Sequence, residues 1–235
     1  MPEQKTVLIA ALDVDSREEA FAIVEKIGSS VEWYKVGKQL FTRCGPELIS
    51  GLKQRGKKVF LDLKYHDIPN TVAQAVRSAA AIGADMVNVH ASGGPAMLKA
   101  AAQAAAESKI CLIAVTVLTS LDQQELNAIG IQDSPADQVL RLARLTQQAG
   151  LAGVVCSARE ITLIQNACGK DFLTIVPGIR PAGADAGDQK RIMTPAQAAA
   201  AGASYIVVGR PIIAASDPSE AAQAIRQELT SSSTL

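Results

Sequence analysis

The chain has 235 residues, close to the ~250 of a single α/β barrel and long enough for one sizeable core. At 48% hydrophobic and 20% charged, it excludes disorder as the main state. Lys plus Arg equals Asp plus Glu at 23 each, so no global basic field exists for nucleic acid and any anion must be met by a local cluster.

The first apolar run, Val7 to Leu12 in the strand candidate Val7–Asp13, is too short for a membrane span, ends in Asp13 and lacks a small-residue cleavage site. It reads as a strand rather than a signal peptide or anchor, and no membrane partner is expected. Ser16-x-x-Glu19 then opens a helix as a capping box. Further strand runs follow at Trp33–Gly37, Val59–Lys64, Met86–His90, Cys111–Val117, Gly153–Ser157, Leu173–Gly178 and Tyr205–Gly209. Several are apolar throughout, as in a parallel sheet covered on both faces.

Ala-rich helical stretches separate these runs. Ser157-x-x-Glu160 and Thr194-Pro195-x-Gln197 repeat the capping pattern, the second with Pro at the first helical position. Asp217-Pro218-Ser219-Glu220 opens the last helix, on which Ala222, Ile225 and Leu229 share a face. Gly83, Gly150 and Gly202 each precede a strand and are placed to end a helix in a left-handed cap. Eight such units and no ninth predict an α/β fold, a single-domain (β/α)₈ TIM barrel over residues 1–235.

Barrel chemistry sits at the carboxyl ends of the strands. Here the first strand ends in Asp13, the second contains Lys35, and the third reads Phe60-Leu61-Asp62-Leu63-Lys64. Alternation points Asp62 and Lys64 the same way; with Leu61 and Leu63 against the helices, both charges face the barrel mouth. Asp67 follows in the loop. Lys and Asp are rarely buried unless paired, so a set of them at one rim is read as a site rather than as solvated strand ends.

The seventh and eighth strands end in Pro177-Gly178-Ile179-Arg180-Pro181 and Val208-Gly209-Arg210-Pro211, where barrels commonly build a phosphate site. Gly209 allows close approach of an anion, and Arg210 offers forked donors. The long polar stretch between Arg180 and Thr194 reads as a lid above the mouth.

Other residues are read as structural. His66 and His90 are the only histidines and make neither a triad nor a metal site; hydrogen bonding within the fold is expected of them. Ser92-Gly93-Gly94 reads as a tight turn that starts a helix, and Trp33 as packing. Cys44, Cys111, Cys156 and Cys168 are widely spaced without a CxxC pair. They predict neither a disulfide framework nor structural zinc, and fit small buried apolar residues in a reducing cytoplasm.

Asp62-x-Lys64-x-x-Asp67-Ile68-Pro69-Asn70-Thr71 resembles the signature of the orotidine 5′-monophosphate decarboxylases. The resemblance extends in order through Ala-Leu-Asp13, Lys35-Val-Gly37, Asn88-Val-His90, Thr116-Val-Leu-Thr119, Pro177-Gly178-Ile179-Arg180 and Val208-Gly209-Arg210-Pro211. It implies decarboxylation of orotidine 5′-monophosphate to UMP, with no metal and no organic cofactor. It implies a charged tetrad of Lys35, Asp62, Lys64 and Asp67, in which Asp62 and Asp67, with Ile68 and Thr71, also meet the substrate. Asp67 and Thr71 are expected to reach across a homodimer interface into the neighbouring site. Asp13 and Lys35 are expected at the ribose hydroxyls and Thr119 at the pyrimidine edge. Gln189, Arg210 and the Gly209 backbone are expected on phosphate, with Arg180 anchoring the loop. The rival readings are a metal-dependent sugar-phosphate decarboxylase or aldolase of the same superfamily, and a non-catalytic nucleotide-binding barrel.

Overall fold

A computed structural model describes residues 6–181 and 193–231. Its first half runs β1 Val7–Ala11, α1 Arg17–Ile27, β2 Trp33–Gly37, α2 Lys38–Cys44, α3 Pro46–Gln54, β3 Lys58–Tyr65, α4 Pro69–Ala81 and β4 Met86–His90. Next come α5 Gly94–Ser108, β5 Cys111–Val115, α6 Gln123–Ala128, α7 Pro135–Gln148, β6 Gly153–Val155 and α8 Ile161–Cys168. The chain closes with β7 Leu173–Val176, α9 Pro195–Ala200, β8 Tyr205–Val208, α10 Arg210–Ile213 and α11 Pro218–Ser231. The strands pair in sequence order, all parallel, and β8 returns to β1 to close the barrel. No helix among the described residues is long and apolar enough to cross a membrane.

Period-two alternation divides the apolar residues between two cores. Ile9, Trp33, Phe60, Met86, Ile113, Ile175 and Val207 point inward and fill the barrel. Leu8, Tyr34, Val36, Leu61, Val87 and Leu112 point outward, under the helices. Trp33 packs edge-on against Tyr205 with ring centroids 5.6 Å apart, the packing role expected of it.

Helix boundaries follow the capping residues. Thr194 and Gln197 form a full capping box with Pro195 at the first position of α9, and Ser157 with Glu160 form another. Ser16 makes only half of one: its side chain accepts from Glu19 N, but Glu19 reaches the backbone N–H of Asp15, 3.4 Å away. Asp217 accepts from Ser219 N and Glu220 N at the head of α11, whose Ala222, Ile225 and Leu229 are buried together. Gly83, Gly150 and Gly202 have φ of 93°, 88° and 88°, as a left-handed helix stop requires. Gly94, at φ 83°, makes the tight turn into α5.

Several strands stop earlier than their apolar runs. β1 ends at Ala11, β5 at Val115 and β8 at Val208, because the residues beyond turn from the ladder into the rim and its caps. β3 is longer than its run and irregular: its register against β4 shifts between Leu61 and Tyr65.

Candidate active site

Strand parity places the chemistry. The inward positions after Ile9, Trp33, Phe60 and Met86 carry Ala11, then Lys35, Asp62 and Asn88, with Asp13 one further step beyond Ala11. The inner face of the barrel is therefore apolar at the amino ends of the strands and charged at their carboxyl ends.

Asp62 is 9% exposed. Its Oδ1 accepts from Lys64 Nζ at 2.5 Å and from Asn88 Nδ2 at 2.7 Å, while its Oδ2 lies 3.6 Å from Lys35 Nζ. Lys35 Nζ also donates to Asp13 Oδ1 at 3.0 Å. Asp13, Lys35, Asp62 and Lys64 thus form one alternating chain of charge. Burial pushes the Asp62 carboxyl up, yet the Lys35 and Lys64 ammoniums and the hydrogen bonds from Lys64 and Asn88 outweigh it. They hold the group below its ordinary value, ionised at neutral pH.

Two glycines make room for this chain. A Cβ on Gly37 would stand 3.1 Å from Lys35 Nζ and 3.6 Å from Asp13 Oδ1, and one on Gly209 would stand 3.3 Å from Asp13 Oδ2. Lys64 reaches Asp62 by an unusual route, with φ of 55° in the irregular stretch of β3 and its backbone N–H donating to Asn88 Oδ1 at 2.8 Å. Asp62 and Lys64 do share the mouth, but a bulge aims the lysine where simple alternation was expected to suffice.

Two cavities of about 190 Å³ each meet at Lys35, Asp62 and Lys64. One is otherwise mostly apolar, walled by Phe60, Val115, Val155, Ile175 and Val207 with Thr119 and Pro177 also lining it. The other is polar, between Asp13, Gly37, Lys38 and Gln39. Such a pair suits a ligand with a weakly polar part at one end and polar groups beside it. A larger groove of about 780 Å³ opens at the opposite end of the barrel, but its charged residues, Glu32 and Arg226, are both exposed. Size does not mark the site; the buried charge does.

The remaining predicted residues lie outside the charged array. Arg180 is 8% exposed; its Nη1 donates to Ile179 O at 3.0 Å and its backbone N–H to Met193 O at 3.1 Å, tying together the two ends of the segment between them. Gly209 caps the four-residue α10, which Arg210 begins with an exposed side chain. Gln189 and the stretch 182–192 read as a lid lie outside the described residues. Asp67 is exposed, and its Oδ1 accepts from Ile68 N at 2.6 Å; within this chain it does not join the Asp13–Lys64 array. Ile68 is 67% exposed, and Thr71 is exposed on α4.

Asn88, Gly37 and the apolar wall are parts of the site to which the sequence alone assigns no role. Asn88 had a signal, since it is the one polar residue between Met86 and His90 and shares their parity. His66 and His90 meet ring to ring at 5.6 Å. Burial first, then the charges of His66, Lys38 and Lys64, lowers the proton affinity of His90. The four cysteines are free thiols, with Cys156 and Cys168 buried and Cys44 and Cys111 half-buried. Among the described residues no three His, Cys, Asp or Glu side chains converge as a metal-binding group.

Residues 6–225 match the model of the Orotidine 5′-phosphate decarboxylase / HUMPS family. The orotidine 5′-phosphate decarboxylase of Aliivibrio fischeri is 51% identical over 234 residues, covering 98% of this chain and 99% of its own. That of Haemophilus influenzae is 53% identical over 221 residues, covering 93% and 96%. The crystal structure of orotidine 5′-phosphate decarboxylase from Lactobacillus acidophilus superposes with a TM-score of 0.85 at 40% identity, covering 96% of this chain and 99% of that one.

Proposed function

This chain belongs to the orotidine 5′-phosphate decarboxylase family, and we propose how its residues act as that carboxy-lyase. The reaction turns orotidine 5′-monophosphate into UMP and carbon dioxide, in pyrimidine biosynthesis. Breaking the bond from ring carbon 6 to the carboxylate leaves an electron pair in the ring plane, orthogonal to the π system. Delocalisation into the ring gives little help, so the charge must be stabilised where it forms.

One observation carries the assignment: the alternating Asp13–Lys35–Asp62–Lys64 chain, buried at Asp62 and facing a mostly apolar cavity of about 190 Å³. Lys64 stabilises the developing carbanion as an ammonium and then delivers its proton to carbon 6. Asp62 orients that ammonium and stands near the departing carboxylate. Lys35 fixes Asp62 from the other side, so little reorganisation is needed as charge moves. Asp13 and Lys35 hold the ribose hydroxyls from the polar cavity, and Thr119 meets the pyrimidine edge.

Phosphate is gripped at the head of α10 by Arg210 and the Gly209 backbone, with Gln189 as a further donor and Arg180 anchoring the segment that carries it. Binding energy spent there, remote from carbon 6, drives closure and raises transition-state stabilisation. A homodimer completes the site: Asp67, Ile68 and Thr71 are exposed beside the mouth, and Asp67 with Thr71 reaches the partner's substrate. The reaction takes place in the cytoplasm, which the free thiols suit.

Purified protein given orotidine 5′-monophosphate, with a metal chelator present throughout, is expected to lose the substrate's ultraviolet absorbance and release carbon dioxide in step. Activity that the chelator abolishes and a divalent cation restores would contradict catalysis by the chain's own charges.

A further inference from the structure

The irregularity in β3 leaves a gap in its ladder with β4. Leu61 pairs with Val87 and Tyr65 with Val89, so four steps of one strand run against two of the other. Asn88 stands in that gap, 1% exposed, and fills it with its side chain. Its Oδ1 accepts from Lys64 N at 2.8 Å. Because a backbone N–H can only donate, that contact fixes which way the carboxamide faces. The amide nitrogen is therefore turned toward Asp62, where it donates to Oδ1 at 2.7 Å, the same oxygen that takes the Lys64 ammonium.

We propose that Asn88 is a positioning residue for the decarboxylation. Its carboxamide clamps the Lys64 backbone in a left-handed turn and holds the Asp62 carboxylate against the Lys64 ammonium, aiming the proton donor before substrate arrives. This rests on the assignment of Lys64 given above. Lys64 has φ of 55°, a region that side chains other than glycine rarely occupy, and surrounding contacts must hold it there. Asn is suited to the place because it joins one acceptor and one donor at fixed separation. Asp would keep the acceptor for Lys64 N but set two carboxylates face to face, and Leu would keep the bulk and remove both bonds.

The test measures kcat and KM for orotidine 5′-monophosphate across pH, and UMP binding by calorimetry, for the unaltered chain, Asn88→Leu and Asn88→Asp. If the unaltered chain fails to decarboxylate, the assignment of the site falls and Asn88 falls with it. Given turnover by the unaltered chain, Asn88→Leu is expected to lose about tenfold to a hundredfold in kcat with UMP affinity retained. Asn88→Asp is expected to be slow at neutral pH and to regain kcat as pH falls, since one shared proton recreates the donor to Asp62. A residue that merely filled space would show no such acid recovery. An Asn88→Leu variant with unchanged kcat, or an Asn88→Asp variant whose pH profile parallels that of the unaltered chain, would overturn the proposal. Should Asn88→Asp not fold, the Asn88→Leu result decides: lost kcat at retained UMP affinity supports it, and weakened binding at full kcat refutes it.

Discussion

Asp62 holds a negative charge where little water reaches, and it does so because two ammonium groups and an amide converge on it. Its carboxyl therefore sits below the ordinary value when folded, despite the opposing effect of burial. Such a group contributes stability that is present above its unfolded value, about 3.9 for Asp, and lost as pH falls through the depressed folded value. The gap in Tm between the unaltered chain and Asp62→Asn is accordingly expected to be widest above pH ~4 and to narrow in stronger acid. Thermal melts across that range check it, and a gap independent of pH would refute the linkage. The spacing of Asp62 and Lys64 in the sequence was enough to put them on one face. The left-handed backbone of Lys64 was not legible, since nothing in the composition of Leu-Lys-Tyr marks a bulge. The inward parity of Asn88 is legible, but its two partners follow from the register between two strands, which a single sequence does not display.

Strands and helices were the most legible level, because each carried its own period and its own punctuation. β2 and β4 run over the very residues their alternation predicted, and Gly83, Gly150 and Gly202 stop helices as their positions required. Ends were less legible where an apolar run continued past the ladder. Val117 still looks like strand, but it has left β5 and lines the apolar cavity. Ser157 fits both the end of the sixth strand run and a capping box with Glu160, and β6 stops at Val155 so that the cap forms. At the eighth strand the same early stop frees Gly209 to cap α10 and sets Arg210 at its head. If that arginine grips phosphate, Arg210→Ala should shrink the advantage of the nucleotide over its phosphate-free nucleoside by about tenfold to a hundredfold in kcat/KM. An unchanged penalty for omitting the phosphate would argue against the grip.

Closure of eight parallel strands brings together residues as distant in sequence as Asp13 and Gly209, and that convergence was predictable from the fold class alone. Asp67 is the residue the single barrel does not bring in: it is exposed, capping Ile68 N, while its three charged companions meet. Under the proposed function Asp67 is half of a site shared between two copies, with Lys64 as the proton donor. Mixing Lys64→Ala with Asp67→Ala tests both parts at once. Each variant alone should be inactive while still binding UMP. After verified subunit exchange, the equimolar mixture should recover about a quarter of the unaltered activity, one intact site in each hybrid of a two-fold dimer. Near-full turnover by Lys64→Ala alone, or no recovery in confirmed hybrids, would contradict the claim that charges from two chains converge on one carbon.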